Sequence, residues 1–166
     1  MVESAKKAAF QYLHSGLCAL PANVAEKRPI GMELWREFQQ RMPTISELET
    51  WYSDNRANAV CLIGGAISGN LEAIDFDLKA EFFERWRELV ESEAPGLVDR
   101  LLIERSQSGG KHVIYRCPDG VGKSAKLAQR EVECDTAGMY SYAGKEIEIR
   151  PRGDRSVSYT HLNTAN

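Results

Sequence analysis

Apolar and polar residues alternate along this chain with two different periods, and the switches between them mark its elements. Ala5, Ala8, Ala9, Tyr12 and Leu13 recur at helical spacing and Gly16 follows, which predicts an opening helix with a glycine stop. "LCALPA" reads as a short buried strand and "NVAEKRPIG" as a loop. "GMELWREFQQRM" predicts a helix with Trp35 and Phe38 on one side. Thr44 and Glu47 stand at capping-box spacing in "TISELETWY", so another helix starts there. "NAVCLIGG" is a strand that runs into the loop "GGAISGN", and "LEAIDFD" is the next strand. In "AEFFERWRELVESE", Phe82, Phe83, Trp86, Leu89 and Val90 form the apolar stripe of an amphipathic helix, and its aromatics read as core. "RLLIERS" and "KHVIYRC" are the two strands of a hairpin across Ser108-Gly109-Gly110, and "GKEIEIRP" is a late strand. Helices mixed with hairpin-linked strands predict an α+β fold with a largely antiparallel sheet. After Arg150 the segment "PRGDRSVSYTHLNTAN" shows no strong periodicity.

Three of these strands share a feature. Side chains in a strand alternate faces. In "LEAIDFD" that puts Asp75 and Asp77 together, opposite Ile74 and Phe76. In "KHVIYR", His112, Ile114 and Arg116 lie opposite Val113 and Tyr115. In "KEIEIR", Glu146, Glu148 and Arg150 lie opposite Ile147 and Ile149. An ordinary solvent face of a sheet also looks polar. Aspartate, however, is depleted in strands. Two aspartates at i and i+2, with α-carbons about 6.6 Å apart, repel each other unless cations lie between them. Oxygen ligands of this kind suit magnesium, with a further carboxylate, Glu148 or Glu146, completing the cluster. The glycine hairpin then has a use. Gly109 and Gly110 let backbone N–H groups approach a phosphate, Ser108 adds a hydroxyl, and Lys111 and His112 add donors. Adjacent strand residues face opposite ways, and parity with Arg116 selects His112 as the one that points at the site.

Composition narrows the class. The 166 residues suffice for one domain with a real core, or two small lobes. At 43% apolar and 27% charged residues the composition is that of a globular protein, and no apolar run approaches a bilayer span. The N-terminus is charged and helical, without a signal-peptide core, so the default setting is cytoplasmic. Cys18, Cys61, Cys117 and Cys134 form no Cys-x-x-Cys half-site, and Cys18 and Cys61 read as core thiols. The net charge of −3 argues against coating nucleic acid by charge alone, though Lys123, Lys126, Arg130, Arg150, Arg152 and Arg155 leave room for a local basic groove.

The ordered set of motifs resembles the N-terminal primase–polymerase (prim-pol) domain of phage and plasmid replication proteins, in the archaeo-eukaryotic primase superfamily. "YLHSGLCALP" and "KRP" resemble its opening strand and basic loop, and "LIGGAISGNLEAIDFD" its glycine loop and Asp-x-Asp motif. "SQSGGKHVIYR" is similar to its Ser-Gly-Gly-x-His motif, and "IEIR" to its third acidic motif. The likeness covers roughly residues 5–153. It implies an RRM-like antiparallel palm beside a smaller N-terminal α/β module. The catalytic domain is then expected over residues 1–153, with the last part of the fold cut short, and a disordered tail over 154–166. The resemblance implies that Asp75, Asp77 and Glu148 hold two divalent ions, Mg2+ or Mn2+. His112 would contact the triphosphate of the incoming nucleotide, with Ser108, Gly109, Gly110, Lys111 and Arg150 completing the nucleotide site. The implied substrates are (d)NTPs on single-stranded or primer-template DNA. The implied partner is a helicase domain or subunit. The implied reaction is nucleotidyl transfer with release of pyrophosphate. The chain departs from the family where "PRGDRSVSYTHLNTAN" replaces a glycine-rich strand and a Pro-Pro-Ser-like segment.

Other readings compete. A two-metal nuclease uses the same carboxylates but has no use for a triphosphate-receiving hairpin. A non-catalytic RRM-like module binds nucleic acid through aromatics on its open sheet, where this face carries acids. Gly122-Lys123-Ser124 resembles the end of a P-loop, but Cys117 stands where that motif needs its first glycine.

Overall fold

The structure is a computed structural model that describes residues 2–25, 28–30, 35–53, 56–106, 109–120, 122, 125–131, 139–142, 145–148 and 157–163. It is α+β with antiparallel sheets, as the patterning predicts. The chain divides into two compact units, one of residues 1–72, 116–123 and 164–166, the other of residues 73–115 and 124–163.

In the first unit, helix α1 (Val2–His14) ends as expected at Gly16, whose φ of 75° is left-handed. The N–H of Leu17 reaches back to the Tyr12 carbonyl and closes the helix end. Strands β1 (Cys18–Asn23), β2 (Arg28–Pro29) and β3 (Ala59–Ile63) form a sheet in the order β2-β1-β3, with Cys18 opposite Ile63 and Ala22 opposite Ala59. Helix α2 (Ile45–Trp51) begins with the predicted capping box. The Thr44 hydroxyl accepts from the Glu47 N–H, and the Glu47 carboxylate accepts from the Thr44 N–H. Alternation then sorts the sheet into two apolar faces. Ala19, Val60 and Leu62 pack with Ala5, Ala9 and Leu48 of the helices, while Cys18, Leu20, Cys61 and Ile63 pack with Phe38. The helix expected over "GMELWREFQQRM" is, among the described residues, only a 3-10 segment, Trp35–Gln39. It still turns Phe38 inward against the edge of Trp51.

The second unit is built on a five-stranded sheet. Its strands are β4 (Leu71–Phe76), β5 (Leu102–Arg105), β6 (Lys111–Arg116), β7 (Ala125–Glu131) and β10 (Val157–Asn163), in the order β5-β6-β4-β10-β7. Strands β8 (Met139–Tyr142) and β9 (Lys145–Glu148) form a separate antiparallel ribbon. Between β4 and β5 lie the short helix α3 (Asp77–Ala80) and helix α4 (Phe83–Glu93). Ile74, Phe76 and Val113 form the sheet side of the core, Phe83 the helix side, and Trp86 packs against it half-buried. The Phe76 ring meets Phe83 and Trp86 edge-on at 5.3 and 5.4 Å between centroids, a favoured aromatic geometry. Leu89, expected on this apolar stripe, is exposed.

Val157–Asn163 lies inside the stretch expected to be a tail, yet it is a strand in the middle of the sheet. It pairs antiparallel with β4 on one side and β7 on the other. Val157, Tyr159 and His161 alternate with Ser158, Thr160 and Leu162, a period that suits a strand but is too polar to announce one. No helix among the described residues is long and apolar enough to cross a membrane.

Candidate active site

The face of β4, β5 and β6 opposite the aromatic core carries the chemistry. Strand parity puts Asp75 of β4, His112 of β6 and Glu104 of β5 on that face. Nε2 of His112 lies 3.4 Å from Oδ1 of Asp75. Its Nδ1 lies 2.8 Å from Oε1 of Glu104, the residue directly opposite in the hairpin register. All three side chains are partly open to solvent, with Asp75 the least exposed at 24%. The Asp75 carboxylate is the main influence on the imidazole. Partial burial opposes it and Glu104 adds to it, and together they push the His112 pKa up to about 9.

The hairpin turn explains how His112 comes to Asp75. The Ser106 N–H donates to the Gly110 carbonyl and the Gly109 N–H to the Ser106 carbonyl, both at 3.0 Å. Gly109 has φ of 89°, a left-handed conformation that favours glycine. Gly110 is needed for a different reason. A β-carbon there would overlap the carbonyl oxygen of Phe76. The turn therefore lies directly on the backbone between Asp75 and Asp77. Lys79 and Arg105 flank Gly109, with side-chain atoms 3.7 and 3.8 Å from where its β-carbon would be.

The remaining expected site residues divide plainly. Asp77 does not continue the strand. β4 ends at Phe76, Asp77 opens α3, and Lys79 and Ala80 follow with φ of 56° and 64°. Face alternation therefore stops one residue before Asp77, and a strand spacing between the two aspartates does not apply. Lys111 takes the opposite face from His112, as parity requires. Its ammonium lies 3.4 Å from the centre of the Phe83 ring and 3.7 Å from Glu84, so α4 holds it. Glu146 and Glu148 lie on β9, opposite Ser141 and Met139 of β8, and their side chains lie outside the described residues. Ser108 and Arg150 also lie outside the described residues, as does Lys123-Ser124 of the P-loop-like stretch.

Two residues escaped the sequence reading. Glu104 has no signal in a single sequence, because an exposed glutamate on an edge strand is commonplace. His161 is set opposite Asp75 by the β10–β4 register, with Lys126 of β7 on its other side. Only the pairing of a distant strand brings it there.

Arg116 has a separate task within the first unit. Its guanidinium donates to the carbonyls of Ser68 and Gly69 at 2.6 and 2.9 Å. A β-carbon on Gly69, whose φ is 66°, would overlap it. The buried Ser68 hydroxyl donates to the Ile63 carbonyl and accepts from the Cys18 N–H. The glycine loop ahead of β4 is thus fastened through Ser68 and Gly69.

Residues 9–163 match the family described as Prim-Pol, bifunctional DNA primase/polymerase, N-terminal. The chain belongs to the Prim-Pol family. A search of curated proteins finds no match. Membership implies DNA primase/polymerase activity at the level of the family, with nucleotides and DNA as substrates, and Prim-Pol enzymes are generally dependent on divalent metals. The donor chemistry here fits such an ion. Asp75 and Asp77 carry hard oxygen donors and are partly exposed, a chemistry that suits Mg2+ or Mn2+ better than softer metals. Among the described residues no group of three or more carboxylate, histidine or cysteine side chains is gathered as a complete ligand set.

Proposed function

We propose that this Prim-Pol domain is a metal-dependent nucleotidyltransferase that adds nucleotides from (d)NTPs to a DNA-templated primer, in phage or plasmid replication. The observation that carries this reading is the contact between His112 and Asp75, beneath a glycine turn seated on the backbone between Asp75 and Asp77. A nuclease has no need of that arrangement. The strand order β5-β6-β4-β10, with α3 and α4 between β4 and β5, supports an RRM-like palm. The sheet β2-β1-β3 with its helices is the smaller N-terminal module.

Asp75, Asp77 and Glu148 would hold two divalent ions, with Glu146 as the alternative third acid. Bound there, the ions supply Lewis-acid stabilisation of charge on the phosphates. The protein's own residues position the reactants. Asp75, on a paired strand, sets one fixed carboxylate. His112 offers Nε2–H to a phosphate oxygen from the neighbouring strand. Gly109, Gly110 and Ser108 would border the triphosphate, and Arg150 would add charge. Nothing in this arrangement acts as a covalent nucleophile, which agrees with a reaction driven by positioning and electrostatics. A helicase domain or subunit is the natural partner, since template strands must be opened ahead of synthesis.

Template-directed extension of a labelled primer tests the proposal. Product is expected with dNTPs and Mn2+, falling by more than about 100-fold in Asp75→Ala/Asp77→Ala. Degradation of the DNA in the absence of nucleotides, with no extension in their presence, would overturn it in favour of a nuclease.

A further inference from the structure

His112 has a second partner, Glu104, besides Asp75. Its Nδ1 is 2.8 Å from Glu104 Oε1, whereas its Nε2 is 3.4 Å from Asp75. The shorter contact lies in the range of a charge-assisted hydrogen bond, and the longer lies outside it. The better-formed hydrogen bond of the ring is thus the one from Nδ1 to Glu104.

We propose that Glu104 is a positioning residue for nucleotide binding: it accepts the Nδ1–H of His112 and so holds the imidazole with Nε2 turned to the triphosphate. The inference deepens the triphosphate role given to His112 and rests on it. An ionised carboxylate only accepts, so the atom facing Glu104 is a protonated Nδ1, and the ring's orientation follows from that bond. The same device orients histidines that serve as ligands elsewhere, where a carboxylate behind the ring sets which nitrogen faces forward. The backbone makes the pair repeatable. Glu104 and His112 are directly opposite in an antiparallel hairpin, where β-carbons lie about 4.5–5.5 Å apart. The bonds from the Ser106 N–H to the Gly110 carbonyl and from the Gly109 N–H to the Ser106 carbonyl close the hairpin next to this pair.

Magnitudes favour a role in binding over one in folding. The Glu104 side chain is 53% exposed, and exposed pairs of this kind add little to stability. When a nucleotide arrives, Nε2 exchanges the Asp75 carboxylate for a phosphate oxygen while Nδ1 keeps Glu104. Asp75 is released at the moment it is needed as a ligand.

The test is calorimetric binding of dATP in the presence of Mn2+ to the full chain and to Glu104→Ala, Glu104→Gln, His112→Ala and Glu104→Ala/His112→Ala. Glu104→Ala is expected to raise the Kd about tenfold, and Glu104→Gln, which keeps an acceptor, less than about threefold. In the His112→Ala background, removing Glu104 should change the Kd less than about twofold, because the two residues act as one unit. Nitrogen-15 spectra of the nucleotide-free protein should show His112 Nδ1 protonated and hydrogen-bonded in the wild type and in Glu104→Gln, and that bond lost in Glu104→Ala. Wild-type affinity in Glu104→Ala alongside a weakened His112→Ala would overturn this inference alone. So would a tenfold loss that persists without His112. Wild-type affinity in His112→Ala would overturn the triphosphate role of His112 and the positioning role with it.

Discussion

Gly110 lies against the carbonyl oxygen of Phe76, too close for any side chain. The glycine is there because a turn crosses the backbone between two aspartates. Alanine at this position must push the hairpin away from β4, since the opposing atom is backbone and cannot swing aside. The expected cost is about 1–3 kcal/mol, the range for overpacking. For a chain of this size each kcal/mol lowers the melting temperature by roughly 2–4 °C. Gly109→Ala has space but must keep φ near 89°, so it should cost about 1 kcal/mol. Thermal unfolding checks both, and an unchanged melting temperature in Gly110→Ala would contradict the close approach.

His112 should titrate late. In the presence of EDTA its imidazole is expected to lose its proton near pH 9, held there first by Asp75 and then by Glu104. The folded-state value is raised above the ordinary value of about 6.5. The stability it contributes is therefore complete below about pH 6.5 and is lost as pH rises through about 9. Proton NMR of the histidine resonances checks this, and Asp75→Asn should bring the midpoint down.

In the first unit, Thr44 and Glu47 cap α2, and Arg41 holds both oxygens of Glu47 at 2.7 and 2.9 Å. Thr44→Ala should destabilise by about 1 kcal/mol. The hydrogen bonds from Arg41, with the Thr44 N–H and hydroxyl adding to them, lower the Glu47 pKa to about 2. Its contribution is present above the ordinary carboxylate value of about 4.3 and is lost as pH falls from there through about 2. Acid unfolding of wild type and Glu47→Gln should diverge above that window and converge below it.

Cys18 should resist modification. Burial, with a smaller effect from Cys61, pushes its thiol up to about 11, and it donates to the Phe38 carbonyl. Little thiolate exists at neutral pH, so labelling by a thiol reagent in the folded state should be slower than in denaturant by more than about tenfold. Equal rates would contradict its burial.

Where local chemistry dictated local structure, the sequence could be read. The Gly16 stop, the Thr44–Glu47 box and the hairpin joining β5 and β6 each follow from residues within a few positions of one another. The face that His112 shares with Asp75 likewise follows from each strand's own period. What could not be read depends on distant partners. The strand at Val157–Asn163 is recognisable only once β4 and β7 lie on either side of it. Glu104 becomes distinctive only when the hairpin register sets it across from His112. Asp77 shows the limit of periodicity, since the strand stops at Phe76 and the face it would have shared with Asp75 stops there too. Leu89 fits the helical stripe of α4, but the helix presents it to solvent.

The measurement that bears most directly on the site is calorimetric binding of dATP with and without Mn2+, for the wild type and for Asp75→Ala/Asp77→Ala. A metal-dependent signal in the wild type that is lost in the double variant, with both samples folded by circular dichroism, is the expected result. Equal metal-dependent binding by the double variant would contradict the assignment of Asp75 and Asp77 to the metal and nucleotide site.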